Sequence, residues 1–233
     1  MRSSTGCSAT WRLCIADFDV ITFDCYGTLI DWETGISEAF AAAARKDGVR
    51  LERATVLRAY ATVEPRVEQQ SYLPYRHVLS RTALDVAQSL GWPVSGDTDF
   101  LSASLPTWKP FPDTNRALER LAAAGIRLGI LSNIDDDLLA ATRKQFTVDF
   151  DLIVTAQQVR SYKPGAAHFL TARERIGEAR WLHAAQSNYH DIVPTNQLRI
   201  PNAWINRRGE KALAGGKPTY EFTNLTQLAD AMA

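Results

Sequence analysis

Asp24, Ser132, Asn133, Lys163, Ser187, Asn188 and Asp191 each follow a short apolar run, and Thr28 lies four residues beyond the first of them. A carboxylate, a hydroxyl and amide pair, a lysine and a second carboxylate can serve as nucleophile, anion holder, charge balance and water activator. Each has an ordinary explanation when taken alone. Asp24 could cap a helix, Ser132-Asn133 could be a turn, and Lys163 could be a solvated lysine before Pro164. In this order, and at the ends of strands, they point to function.

The elements that must position them can be read from the runs themselves. Asp19-Val-Ile-Thr-Phe-Asp24 is a β-branched and aromatic run that stops at Cys25-Tyr26-Gly27, the pattern of a buried strand entering a tight turn. Ile126 to Leu131, Asp151 to Thr155, Trp181 to Ala185 and Ala203 to Asn206 repeat it. Helical spacing lies between them, over Asn115 to Ala124, Asp135 to Gln145, Ala166 to Ile176 and Ile192 to Leu198. Strand and helix alternate, so the fold class is α/β with a doubly wound parallel sheet, and right-handed crossovers bring the strand C-termini to one edge.

Between the first two strands, Ser37 to Lys46, Leu51 to Gln70, Tyr75 to Leu90 and Asp99 to Leu105 carry helical spacing without a strand signal. This reads as an inserted helical segment over the catalytic edge, with Pro65 interrupting its second helix and Pro106, Pro110 and Pro112 marking the return to the core. Residues 1–16 read as a loose N-terminal extension, 17–33 with 108–233 as the core, and 34–107 as the insertion.

Composition narrows the partners. The 233 residues are 45% hydrophobic and 22% charged, which is ordinary globular composition. Lys plus Arg and Asp plus Glu are 26 each, without blocks of either sign, so neither a nucleic-acid surface nor a polybasic membrane patch is expected. The partner should be a small molecule. Cys7, Cys14 and Cys25 form no CxxC pair and are odd in number, which fits a reducing cytoplasm. The first residues contain no continuous apolar stretch of the secretory type, and no run approaches the length needed to span a bilayer.

Phe23-Asp24-Cys-Tyr-Gly27-Thr28-Leu29, Leu131-Ser132-Asn133, Tyr162-Lys163-Pro164 and Ser187-Asn188-Tyr-His-Asp191 together resemble the four ordered motifs of the haloacid dehalogenase superfamily. The resemblance implies a Rossmann-like core with the helical segment as an inserted cap domain, and a cytoplasmic homodimer. Within the superfamily, phosphatases carry a second Asp two residues after the nucleophile, where this chain has Tyr26, and an acidic pair in the fourth motif, where it has Gln186, Ser187 and Asn188 before Asp191. The sequence is similar to the type II 2-haloacid dehalogenases, which implies no metal and no cofactor.

That resemblance implies roles. Asp24 attacks C2 of a 2-haloalkanoic acid, expels halide and forms an ester that water opens to a 2-hydroxy acid. Lys163 keeps Asp24 ionised, and Thr28 and Asn188 orient its oxygens. Ser132 and the backbone amides of Cys25 and Tyr26 take the carboxylate of the small anionic substrate beside Asn133, while Asp191 with Ser187 and Asn188 places the water. An arginine of the cap should grip the halide or carboxylate, with Arg58 the first candidate and Arg66 and Arg76 behind it. The alternatives are a Mg²⁺-dependent phosphatase or phosphonatase-like hydrolase, and a non-catalytic descendant of the fold.

Other signals carry less. Asp135-Asp-Asp137 reads as helix-capping carboxylates at a helix start. His183 reads as a packed strand position. Trp32, Tyr72, Trp108 and Tyr189 are aromatics able to wall an apolar pocket.

Overall fold

A computed structural model describes residues 18–96 and 98–233; the N-terminal extension, with Cys7 and Cys14, lies outside the described residues. The strands are β1 (Val20–Phe23), β2 (Arg127–Ser132), β3 (Leu152–Thr155), β4 (Trp181–Ala185), β5 (Asn202–Ile205) and β6 (Tyr220–Phe222). They form one sheet in the order β3-β2-β1-β4-β5-β6, and every pairing is parallel. In registry, Phe23 lies beside Ile130 on one side and Ala184 on the other. All residues of β1 and β4 are buried, as strands covered by helices on both faces must be. The chain turns outward in both directions from β1, so a crevice opens at the carboxyl ends of β1 and β4, where such sheets bind ligands.

The helices between β1 and β2 are α1 (Trp32–Lys46), α2 (Arg53–Glu68), α3 (Tyr75–Ser89), α4 (Phe100–Ser104) and α5 (Thr114–Ala123). The first four pack on one another through a buried apolar set that includes Phe40, Val56, Leu79 and Leu101, continuous with the core under the sheet. Asp31 caps α1 by accepting from the Thr34 amide at 3.2 Å, so the helix begins at Trp32, ahead of the periodic run at Ser37. The remaining helices are α6 (Asp136–Arg143), α7 (Ala156–Val159), α8 (Ala167–Ile176), α9 (Val193–Gln197) and α10 (Leu225–Met232).

Two expectations need correction. Pro65 does not interrupt the second helix: α2 continues through it to Glu68, and the Ala61 carbonyl that loses its donor belongs to an exposed residue that water can reach. Asp135 makes no side-chain cap for α6. Its carboxylate instead accepts from the Tyr75 amide at 2.7 Å and the Arg76 amide at 3.0 Å, so it caps α3, a helix 60 residues earlier in the chain. Asp135 and Asp137 both hold Arg76, which fastens α3 to the sheet edge. Among the described residues no helix is long and apolar enough to cross a membrane.

Candidate active site

β1 runs into the turn Cys25-Tyr26-Gly27, where Gly27 has φ +102, a value glycine adopts without strain. The Cys25 carbonyl accepts from the Leu29 and Ile30 amides at 2.8 and 3.0 Å, closing the turn and bringing Thr28 back over Asp24. Thr28 Oγ1 donates to Asp24 Oδ2 at 2.9 Å and accepts from the Gln186 amide at 2.9 Å. The nucleophile candidate is therefore oriented through the loop that follows β4.

Lys163 arrives from the segment after β3. Its ammonium donates to Asp24 Oδ1 at 2.9 Å, to Asp191 Oδ1 at 2.7 Å and to the Leu131 carbonyl at 2.9 Å, spending three donors on three acceptors. Asn133 holds this loop by taking the Lys163 amide at 2.7 Å and donating to its carbonyl at 3.1 Å. Burial pushes the Asp24 carboxyl up, with Asp191 adding to the rise and Lys163 and Thr28 opposing it. For Asp191, burial is outweighed by Lys163 and His183, and the carboxyl is held below its usual range. Lys163, despite burial, is raised above its ordinary value by the two carboxylates.

Asp191 lies in a π-helical turn, Asn188–Ile192, after β4. Ser187 starts that turn by accepting from the His190 amide at 3.0 Å. His183 Nε2 lies 3.0 Å from Asp191 Oδ1, and its Nδ1 lies 2.8 Å from Thr22 Oγ1, which accepts from Trp181 Nε1. With Trp181 donating to Thr22, the Thr22 hydroxyl proton is left for His183 Nδ1, which puts the ring proton on Nε2, facing Asp191. His183 thus orients the second carboxylate. It was legible only as a packed strand residue, and the alternation of Trp181 and His183 on one face of β4, beside Thr22, is the signal that would have found it.

Asn188 does not reach Asp24. Its Nδ2 donates to the Gly216 carbonyl at 2.8 Å and its Oδ1 accepts from the Leu213 amide at 3.1 Å, so it ties the loop after β5 to the site. A Cβ on Gly216 would stand 1.9 Å from Asn188 Oδ1. Gly216→Ala should therefore displace Asn188, lowering stability by about 1–3 kcal/mol. A denaturant melt beside wild type checks this, and an unchanged midpoint would contradict it.

These groups border a cavity of about 360 Å³ whose floor is Asp24, Ser132, Asn133, Lys163 and Asp191. Ser132 Oγ and Asp191 Oδ2 are buried and without a hydrogen-bond partner among the described residues, so both are available to a ligand. Tyr26 lines the cavity, and its hydroxyl is engaged with Thr142 Oγ1 at 2.9 Å. Cys25 is wholly buried beside it, and burial and the neighbouring Asp24 push its thiol up, which leaves it inert. Trp32, Trp108 and Tyr189 are on the wall, whereas Tyr72 borders a neighbouring cavity.

The structure does not bring the three candidate arginines to this cavity. Arg58 is exposed and bonded to Thr55 at 3.1 Å, Arg66 is exposed, and Arg76 is held by Asp135 and Asp137. At about 100° per residue, Tyr60, Glu64 and Glu68 form one stripe of α2 and Arg66 is turned well away from it, whereas Arg58, close in phase to the lining Pro65, lies about two turns nearer the helix start. Glu64 and Glu68 are among the cavity residues that sequence reasoning missed, with Tyr60, Arg208, Glu210 and Lys211. An i, i+4, i+8 stripe following Tyr60 is the signal that could have found the two glutamates.

The arrangement matches known proteins across most of its length. A (S)-2-haloacid dehalogenase of Pseudomonas putida is 26% identical over 215 residues, covering 90% of this chain and 94% of that protein. A dehalogenase crystallised as an intermediate complex superposes with a TM-score of 0.81 at 20% identity, covering 94% of this chain and 99% of the other. The L-2-haloacid dehalogenase from Xanthobacter autotrophicus with chloropropionic acid covalently bound gives 0.75 at 17% identity, over 91% and 97%. At these identities the two structures establish likeness of fold. The family model for haloacid dehalogenase-like hydrolases matches residues 18–185, a span that runs from the strand carrying Asp24 through Ser132 and Lys163 to the end of β4, and by that match this chain belongs to the haloacid dehalogenase-like hydrolase family.

Proposed function

We propose that the chain hydrolyses the carbon–halogen bond of a small 2-haloalkanoic acid through an ester on Asp24. The observation that carries this is the buried ammonium of Lys163, bonded at once to Asp24 and Asp191. Displacement at a saturated carbon needs an anionic nucleophile and a water activator close together, and a cation between two carboxylates lets both stay charged at low dielectric.

An Asp24 oxygen attacks C2, the C2–halogen bond breaks, and the pair of electrons leaves with the halide, inverting C2. Ser132 Oγ, which lacks a partner among the described residues, and the amides of Cys25 and Tyr26 take the substrate carboxylate. Water then adds to the Asp24 carbonyl carbon and gives its proton to Asp191, whose Oδ2 is unpartnered. The bond from that carbon to the substrate oxygen breaks, Asp191 returns the proton to that oxygen to complete the 2-hydroxy acid, and the second proton of the water passes to solvent as Asp24 is restored as a carboxylate. Helices α1–α4 serve as the cap, which begins with α1 at Trp32, two residues before the inserted segment 34–107 read from the sequence. The reading also takes from the resemblance a cytoplasmic homodimer.

A phosphatase of the same family would need an acid two residues after the nucleophile, and that position is Tyr26, whose hydroxyl is engaged by Thr142. Halide release from 2-chloro-, 2-bromo- and 2-fluoro-acids, with p-nitrophenyl phosphate alongside, separates the two readings. The expected result is halide release that excess EDTA and added Mg²⁺ leave unchanged. Hydrolysis of the phosphate ester that EDTA abolishes and Mg²⁺ restores would replace this reading with the phosphatase.

A further inference from the structure

The cavity wall contributed by α2 is acidic. Glu64 and Glu68, one helical turn apart, both line it, beside Tyr60 of the same helix. The Tyr75 hydroxyl of α3 donates to Glu64 Oε1 at 3.1 Å. Asn133, after β2, donates to Glu68 Oε1 at 3.5 Å, and His190, after β4, places Nε2 3.9 Å from Glu68 Oε2. Tyr162 and Lys163 approach from the segment after β3, and Asp24 and Asp191 lie on the floor.

The buried cation of this site is Lys163, and it is already shared by Asp24 and Asp191. Arg208 and Lys211 border the mouth from an exposed loop, with Arg208 held by Glu33 and Glu210. Lys163 offsets one of the two floor carboxylates. An anionic substrate already adds a second uncompensated charge, and two ionised glutamates would add two more in the same small cavity. The environment of the pair acts against that. Burial pushes both carboxyls up, Glu64 to about 7, with Glu64 adding to the rise at Glu68. Burial also pushes His190 down to about 4, so it supplies no charge to balance them near neutrality.

We propose that Glu64 and Glu68 are the specificity-determining pair of this pocket: they admit substrate only as neutral carboxylic acids that donate hydrogen bonds to it, which confines the enzyme to 2-halo acids carrying a single negative charge. This rests on the dehalogenase reading and deepens it. No bond is made or broken by the pair, and each neutral carboxyl brings one O–H donor to the cavity.

The test compares kcat/KM for 2-chloropropionate and 2-chlorosuccinate between pH 5.5 and 9, in wild type, Glu64→Gln, Glu68→Gln and the double variant. Glutamine keeps a donor and removes the titration. In wild type, kcat/KM for 2-chloropropionate should fall about tenfold per pH unit above the Glu64 value of about 7, and the dianionic 2-chlorosuccinate should be at least about tenfold poorer at pH 6. The glutamine variants should flatten the alkaline fall. A flat wild-type profile, a fall that the variants keep, or equal use of the two acids would overturn the proposal. Infrared spectra of the free enzymes give a second readout, in which wild type at pH 6 shows protonated-carboxyl absorption that each single variant diminishes. Absence of that absorption overturns the pair. If no protein releases halide from either acid at any pH, the dehalogenase reading fails, and the infrared result still decides the protonation of the pair.

Discussion

Lys163→Met should abolish halide release and lower stability by about 3–5 kcal/mol, the usual cost of leaving buried partner charges uncompensated. The Lys163 side chain is buried, and its ammonium satisfies Asp24, Asp191 and the Leu131 carbonyl. Methionine fills most of the space and supplies none of the bonds. Asp24, already pushed up by burial, loses the cation opposing that rise, so its carboxyl is pushed further toward the neutral form, which cannot attack C2. The stability effect has a defined pH window. Asp191 is held below its ordinary 3.8, so its contribution is present above that value and fades as pH falls through the lower folded value. Lys163 is raised above its ordinary 10.5, so its contribution is full below that value and is lost only as pH rises through the folded one. Denaturant melts of wild type and variant at pH 7 measure the difference. A variant as stable as wild type, or one that still turns over, would contradict this account.

Asp24→Asn should lower kcat on the order of 10⁴-fold or more while leaving the fold intact. An amide oxygen can still accept from Lys163, and the change removes one of the two carboxylates that share the Lys163 ammonium. The loss should therefore fall on kcat, and substrate binding should be unchanged or tighter. For the same reason wild-type activity should fall on the acid side, as pH drops through the raised Asp24 value and the nucleophile takes a proton. Rapid-quench measurement of the first turnover checks the variant, and a first turnover within tenfold of wild type would remove Asp24 from the chemistry.

The sheet was legible because its strands are buried on both faces and read as unbroken apolar runs ending in polar residues. Phe23-Asp24, Leu131-Ser132 and Ala185-Gln186 mark where β1, β2 and β4 reach the crevice. β6 escaped because Tyr220–Phe222 is a three-residue edge strand whose residues are only partly buried or exposed, and it lacks that contrast. α10 escaped because its signal is a cap, Asn224 accepting from the Gln227 amide, in front of only eight residues. At the site, the positions of Asp24, Ser132, Asn133, Lys163 and Asp191 on the cavity floor, and of Thr28 against Asp24, were legible from sequence, since the strand ends carry them to one edge. Asn188 was placed near the nucleophile, yet its amide serves the loop after β5, a partner no local pattern discloses. Long-range partners explain the other gaps too. Asp135 caps a helix remote in sequence, and His183 acts through Asp191. Glu64 and Glu68 look like a solvated helix face until the fold sets the phase of α2.

The central claim, an ester on Asp24, is tested most directly by a single turnover in ¹⁸O-water with enzyme in excess over 2-chloropropionate, followed by mass spectrometry of the product and of the peptide containing Asp24. In the ester route water attacks the Asp24 carbonyl carbon, so solvent oxygen should appear in Asp24 and the first 2-hydroxy acid should carry unlabelled oxygen from the enzyme. Labelled 2-hydroxy acid beside unlabelled Asp24 would show that water, activated by Asp191, attacks C2 itself, and the covalent account would be wrong.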